Sequence, residues 1–253
     1  MIDTHCHLYL DEFKTDIEEV IARAQLAGVH KFYLPAIDSA EIEHLLSLEA
    51  RFPSSCYAMM GLHPCSVKEN YLQELAIVKA WLTKRKFVAV GEIGLDFYWD
   101  RTFALQQYEA FKTQIELSIQ YNLPIVIHSR NAMKETIDVV KEFVSVGVRG
   151  IFHCFGGTLK NANEIIDAGF YLGIGGVLTY KKSGLAEVLE HIDLKYMVLE
   201  TDAPYLTPVP FRGNRNESVY LKYIVEELAL IKNISTQEVI AITTANAEKI
   251  FGI

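Results

Sequence analysis

The sequence predicts a single-domain α/β fold over residues 1–253, a (β/α)8 TIM barrel, and three observations carry that prediction. Short apolar runs rich in β-branched residues alternate eight times with intervening stretches, most of which show helical periodicity. The length of 253 residues suits a barrel, which typically takes about 250. Several of the apolar runs also stop on a histidine or a carboxylate, and barrel enzymes build their sites at the C-terminal ends of their strands. A doubly wound open sheet is the alternative, but it collects ligands at one switch point and not from separate strands.

Taken in order, the first strand is expected over residues 2–6, in Met-Ile-Asp-Thr-His5-Cys6-His7. Side chains alternate faces along a strand, so His5 and His7 project together while Cys6 faces away. An amphipathic helix over 16–26 ends just before Gly28, and a second strand spans 31–36. Ser39 stands ahead of a helix over 40–50, and the third strand, 56–61, runs into Gly61-Leu62-His63-Pro64. A helix over 72–84 leads to strand 87–92, which stops on Glu92. A helix over 104–121 precedes strand 124–128, ending in Ile-Val-Ile-His128, and a helix over 132–144 precedes strand 150–153, ending in Ile-Phe-His153. Strands over 170–174 and 196–201 complete the set, the last followed by Asp202. Residues 218–231 and 236–250 read as two closing helices.

Composition narrows the function classes. No apolar run approaches the roughly 20 residues of a membrane helix, and the N-terminus lacks the layout of a signal peptide. The four cysteines, Cys6, Cys56, Cys65 and Cys154, show neither paired spacing nor the density of a disulfide scaffold, so reduced thiols and a cytoplasmic location are expected. Twenty-four basic against 32 acidic residues leave a net charge of −8, which argues against coating duplex nucleic acid through a broad basic face. It does not argue against acting on nucleic acid, because cations bound in a cleft beside a few arginines make a local positive field.

Imidazole and carboxylate bind borderline divalent metals. On strand ends converging on a barrel axis, His5, His7 and Asp202 can surround one ion and His128 and His153 a second, with Glu92 bridging the two. A bridging carboxylate holds two ions about 3.5–4 Å apart, and water between them loses a proton near neutral pH. The expected cofactors are thus two divalent ions, and the ligands do not select among zinc, magnesium, manganese and nickel.

Six blocks in order, His5-Cys6-His7, Gly61-Leu62-His63-Pro64, Gly91-Glu92-Ile93-Gly94-Leu95-Asp96, His128-Ser129-Arg130, His153-Cys154-Phe155 and Glu200-Thr201-Asp202-Ala203-Pro204-Tyr205-Leu206, resemble the TatD family of metal-dependent deoxyribonucleases in the amidohydrolase superfamily. The resemblance runs from residue 1 to the closing helices. It implies a two-metal hydrolase that cleaves phosphodiester bonds in DNA through a metal-bridged hydroxide, working from the 3′ end of a single strand. It implies His5, His7, Glu92 and Asp202 on one metal, and Glu92, His128 and His153 on the other. Asp202 is the expected general base, and His63 is expected to touch the scissile phosphate or the leaving oxygen. Arg130, and Arg212 and Asn214 in the loop Pro210-Phe211-Arg212-Gly213-Asn214-Arg215, are the expected substrate-binding residues, a forked guanidinium being suited to phosphate. Neither a membrane nor an obligate protein partner is expected.

Other residues invite plainer readings. His30, His44 and His191 follow helical periodicity or flank helix ends and are expected to have no role in the site. Cys6 and Cys154 are expected to pack away from it, and Cys65 is not expected to ligate. Asp3 and Asp96 either hydrogen-bond around the ligands or serve turns and core, and Glu200 is expected to point into the barrel and orient a ligand or water. Gly173, Gly175 and Gly176 read as a tight turn at the barrel mouth, and Tyr180, Lys181 and Lys182 as solvated or DNA-backbone groups. Two rival functions remain: an amidohydrolase acting on a small ester, amide or lactone, and a non-catalytic metal-dependent scaffold. Many small-substrate barrels of the superfamily bridge their metals with a modified lysine, where this chain offers Glu92.

Overall fold

The computed structural model describes residues 1–252; Ile253, the last residue of the expected domain, lies outside them. Eight strands alternate with helices: β1 (Ile2–Asp3), α1 (Ile17–Leu26), β2 (Lys31–Leu34), α2 (Ile42–Arg51), β3 (Cys56–Ala58), α3 (Tyr71–Lys84), β4 (Val90–Asp96) and α4 (Ala104–Gln120) in the first half. The second half holds β5 (Ile125–Arg130), α5 (Met133–Lys141), β6 (Gly150–Phe152), α6 (Leu159–Asp167), β7 (Tyr171–Ile174), α7 (Leu185–Glu190), β8 (Met197–Leu199), α8 (Leu221–Lys232) and α9 (Thr236–Phe251). All ladders are parallel, in the orders β1-β2-β3 and β4-β5-β6-β7-β8.

The two groups of strands meet at both seams. Met60, just past β3, bridges Val90 of β4, and the Gly91 N–H donates to Met60 O at 3.1 Å. Between β8 and β1, the Thr4 N–H donates to Leu199 O at 3.0 Å and the Asp202 N–H to His5 O at 2.9 Å. The result is the expected (β/α)8 barrel.

Its two ends differ in chemistry. Ile2, Tyr33, Met59, Ala89, Val126, Ile151 and Val198, from on or beside seven of the strands, form one apolar cluster with Ala247, Ile250 and Phe251 of α9. That helix begins with a capping box, in which the Ser235 hydroxyl accepts the Glu238 N–H and the Glu238 side chain accepts the Ser235 N–H. It plugs the N-terminal end of the barrel, and the buried histidines and carboxylates collect at the other. Among the described residues no helix is long and apolar enough to cross a membrane.

Several boundaries depart from expectation for identifiable reasons. β4 runs to Asp96 and not to Glu92, because its ladder with β5 continues to the pair Asp96 and Arg130. Within it the register shifts between Gly91 and Ile93, leaving Glu92 as a bulged residue without a partner on β5, its N–H donating instead to Ala36 O at 3.1 Å; a bulge re-aims a side chain. β1 stops at Asp3, short of the predicted 2–6, yet the alternation that aims His5 and His7 survives. The Cys6 N–H turns to Tyr33 O on one side (3.1 Å) and the His7 N–H to Ala203 O on the other (2.7 Å). Ser39 does not cap α2: its N–H and hydroxyl both donate to Glu74 of α3, at 3.0 and 2.9 Å. α6 and α7 complete the expected βα repeat, α6 opening on a Thr158–Asn161 capping box.

Candidate metal centre

Glu92 organises the C-terminal face of the barrel, and its two oxygens look at different partners. Oε2 lies 3.1 Å from His5 Nε2 and 3.5 Å from His7 Nε2. The same two nitrogens lie 3.6 and 3.7 Å from Asp202 Oδ1 and 3.3 Å from each other. Oε1 lies 2.8 Å from His128 Nδ1, 3.1 Å from His153 Nε2 and 3.4 Å from His63 Nε2. Donors around a tetrahedral ion with bonds of about 2.0–2.1 Å sit about 3.3–3.4 Å apart, so both groups have the spacing of a ligand set. His5, His7, Asp202 and Glu92 could hold one ion, and Glu92, His128 and His153 another. His63 Nε2 also lies within reach of this group, but its Nδ1 accepts the Cys65 N–H at 3.1 Å, so the neutral ring carries its proton on Nε2 and is not counted as a ligand.

The hydrogen bonds behind the histidines set their tautomers. The Tyr9 hydroxyl donates its one proton to Pro35 O at 2.7 Å, so at His7 Nδ1, 3.1 Å away, it must accept. His7 therefore carries its proton on Nδ1 and turns the Nε2 lone pair toward Glu92 and Asp202. His128 Nε2 meets Asp96 Oδ2 at 2.9 Å, which leaves the Nδ1 lone pair of the neutral ring facing Glu92 Oε1. Lone pairs set against carboxylate oxygens repel unless a cation or an extra proton lies between them, and this donor set fits divalent ions.

Electrostatics separate the histidines. Burial, with the positive field of His153, holds the His5 pKa well below its usual value, so the ring is neutral and able to ligate. Burial also opposes charge on His153, but Glu92 and Glu200 outweigh it and hold that pKa well above the ordinary one. Glu92 shows the converse, with burial overcome by His153, His5 and His63, which keep its carboxyl well below the usual range. Burial lifts Asp202 to about 6.

Further out, Glu200 lies fully buried with Oε1 accepting the Cys154 N–H and sitting 3.2 Å from His153 Nδ1. Gly173 makes room for it, since a Cβ there would stand 2.2 Å from Glu200 Oε2. Asp3 resolves as a core hydrogen-bonder, accepting from Thr201 N (3.0 Å), Thr201 Oγ1 (2.6 Å) and Ser218 Oγ (2.6 Å), and so pinning the segment that leads to Asp202. Asp202 and Cys154 both take left-handed backbone, φ +58° and +47°. For Cys154 this corrects the expectation. The residue lies beyond the end of β6, its backbone turns, and it lines the cleft where strand alternation would have faced it away. Cys6 is buried away from the cleft, as expected.

The centre floors a cleft of about 850 Å³. His63, Arg130, Trp99 and Tyr205 stand in its walls with His7, Glu92, His128, His153 and Asp202, while His5 is fully buried and Arg212 and Asn214 are exposed and outside the lining. The Arg212 guanidinium rests 4.0 Å over the Tyr180 ring, and Asn214 contributes its carbonyl to the Thr207 hydroxyl at 2.5 Å. His44 pairs with Glu41 on the surface, and His30 and His191 are exposed, away from the centre. Gly176 lies where a Cβ would meet Leu206 O at 2.0 Å, so this turn serves close backbone approach. Sequence reasoning passed over Tyr9, although the alternation His5, His7, Tyr9 puts it on the same face. It also passed over Trp99 and Tyr205, for which no comparable signal existed.

Comparison with known proteins identifies the family. The family model described as TatD related DNase matches residues 2–252. An uncharacterized metal-dependent hydrolase of Bacillus subtilis, YabD, is 38% identical over 100% of this chain and 99% of its own length. A protein of Erwinia tasmaniensis named 3′-5′ ssDNA/RNA exonuclease TatD is 31% identical over 100% of both chains. Among solved structures, the TatD homologue YJJV of Escherichia coli K12 superposes with a TM-score of 0.94 at 30% identity, over 100% of this chain and 98% of that one. A whole-chain family match, full-length relatives and a shared fold thus coincide with a histidine–carboxylate cluster able to hold metal, and the chain belongs to the TatD-related DNase family of metal-dependent hydrolases.

Proposed function

We propose that this protein is a two-metal phosphodiesterase, folded as a single domain, that trims single-stranded DNA from its 3′ end. The observation that carries the reading is the division of Glu92, with Oε2 among His5 and His7 and Oε1 among His128 and His153. Two divalent ions bound there supply Lewis acidity toward a phosphoryl oxygen and acidify a water molecule. The remaining work falls to side chains. Asp202 stands at the open side of the first group and accepts the proton of the attacking water. His63 receives the Cys65 N–H on Nδ1 at 3.1 Å, so its neutral ring carries a proton on Nε2. That proton is available to a non-bridging phosphate oxygen or to the oxygen that leaves when the phosphorus–oxygen bond breaks. Arg130 in the cleft wall offers a guanidinium to the same phosphate.

The name carried by the Erwinia relative supports nucleic acid as substrate and 3′ to 5′ as direction, and it extends the proposal to RNA. The test is a single-stranded oligonucleotide labelled at its 5′ end, incubated with metal-loaded protein beside Glu92→Ala. A ladder shortening from the 3′ end, absent in the variant, is expected. An uncut strand in both lanes with magnesium, manganese and zinc would overturn the reading.

A further inference from the structure

Beyond Asp96 the chain turns sharply and presents two neighbouring aromatic residues to solvent, Tyr98 at 51% exposure and Trp99 at 69%. Asp96 fixes the turn. Its Oδ1 accepts the backbone N–H of Tyr98 at 2.9 Å and of Trp99 at 3.3 Å, while Oδ2 holds His128. The two rings meet edge to face, 4.8 Å apart at 84°, and the Arg130 guanidinium lies 3.9 Å over Tyr98 and 5.1 Å from Trp99. Large aromatics left in water ask for an explanation, and Trp99 belongs to the wall of the same cleft as His63 and Asp202.

We infer that Trp99, steadied by Tyr98 and Arg130, is a stacking platform for an unpaired nucleobase next to the scissile phosphate. The inference rests on the phosphodiesterase reading above. A base fits this place because Trp99 offers a large exposed ring face, and the neighbouring Asp100 carboxylate is paired with Lys68 at 3.4 Å, so the loop itself adds no net positive charge for a phosphate. Stacking also answers a need of this chain. At a net charge of −8 it has little general attraction for a polyanion, and an aromatic face grips any base regardless of sequence. Arg130, spread over the Tyr98 ring, is held in position to reach the adjoining phosphate.

The test compares a single-stranded oligonucleotide with a strand of equal length whose nucleosides are replaced by abasic tetrahydrofuran units. Trp99→Ala is expected to raise KM on the base-bearing strand by about 5- to 150-fold, the range of one base–aromatic stack, with little change in kcat. On the abasic strand it should leave KM unchanged, and Trp99→Phe should restore most of the loss. In parallel, Trp81→Phe leaves Trp99 as the one tryptophan, and its fluorescence should be quenched by the base-bearing strand but not by the abasic one. Equal effects of Trp99→Ala on both strands, or no quenching, would overturn the platform. If neither strand is cut, the phosphodiesterase reading fails instead, and the fluorescence titration still decides whether bases stack on Trp99.

Discussion

Asp96→Asn separates the role of one carboxylate oxygen from that of the other. In the native protein Oδ1 takes the Tyr98 and Trp99 N–H groups and Oδ2 takes His128 Nε2. Burial would raise the Asp96 pKa, yet the hydrogen bonds from His128 and the Tyr98 N–H hold its carboxyl well below the usual range, so both oxygens accept. An asparagine keeps one accepting oxygen, and two backbone donors claim it. Its NH2 then faces His128 Nε2 and turns that nitrogen into an acceptor. The imidazole proton moves to Nδ1, 2.8 Å from Glu92 Oε1, where a lone pair is needed.

Loss of such an outer-shell partner costs about 10- to 100-fold in metal affinity, or about 1.4–2.7 kcal/mol. The loss should fall on the second ion alone, because His5, His7 and Asp202 have no contact with Asp96 among the described hydrogen bonds. Isothermal titration of metal-free protein with manganese reads it directly. The tighter binding step is expected to stay in place and the weaker one to drop by the stated factor, with Trp99 fluorescence unaltered because the loop keeps its anchor. An unchanged second step, or an equal loss in both, would refute the tautomer argument.

Three other outcomes follow from the same geometry. In metal-free protein His153 titrates well above its ordinary value and Asp202 at about 6, so a cation displaces a proton from His153 and, only below about pH 6, one from Asp202 as well; affinity should fall as pH drops from 8 to 5, by about tenfold per unit for each proton released and more steeply below pH 6. Titrations in buffers of different ionisation enthalpy should show proton release near pH 7, and its absence would mean the histidines are already neutral. Gly173→Ala places a Cβ 2.2 Å from Glu200 Oε2 and should push that carboxylate off His153, weakening metal binding by about 10- to 100-fold with circular dichroism unchanged; full affinity would show that Glu200 does not position the ring. His128→Ala should retain one tight equivalent of metal while His5→Ala loses it, as measured by elemental analysis after dialysis, because the first group has four donors and the second three.

Much of this was readable in the chain before any coordinates. The alternation of His5 and His7 is a property of extended backbone and survived even though the regular strand ends at Asp3. His128 lies two residues before the end of β5 and His153 just past the end of β6, in the C-terminal part of the barrel where such folds put their sites, so their convergence follows from topology. Glu92 was identified, but its position was not. It bulges from the middle of β4, and a bulge depends on the partner strand, which a local pattern does not contain. Cys154 was placed on the wrong side for a related reason, since alternation holds only while the chain stays extended. Arg212 shows a further limit. Its residue type suits phosphate, but where a long loop lays its side chain is decided by tertiary contact, here with Tyr180.

Two outer carboxylates tie the centre to the rim of the cleft. Asp96 hydrogen-bonds both His128 and the backbone of the Tyr98–Trp99 turn, and Glu200 accepts the Cys154 N–H with the oxygen that pairs electrostatically with His153 Nδ1 at 3.2 Å. Both histidines belong to the second group, so the ion held by fewer donors is the one whose ligands are braced by rim loops. Moving either loop withdraws the carboxylate that orients its imidazole. A strand that stacks on Trp99 and stiffens the turn therefore favours the ligating tautomer of His128. Linkage makes the effect reciprocal, so filling the second group must tighten stacking by the same factor. The Trp99 quenching titration, run with and without manganese, measures that factor, and a value of one would mean that rim and ligands are mechanically independent.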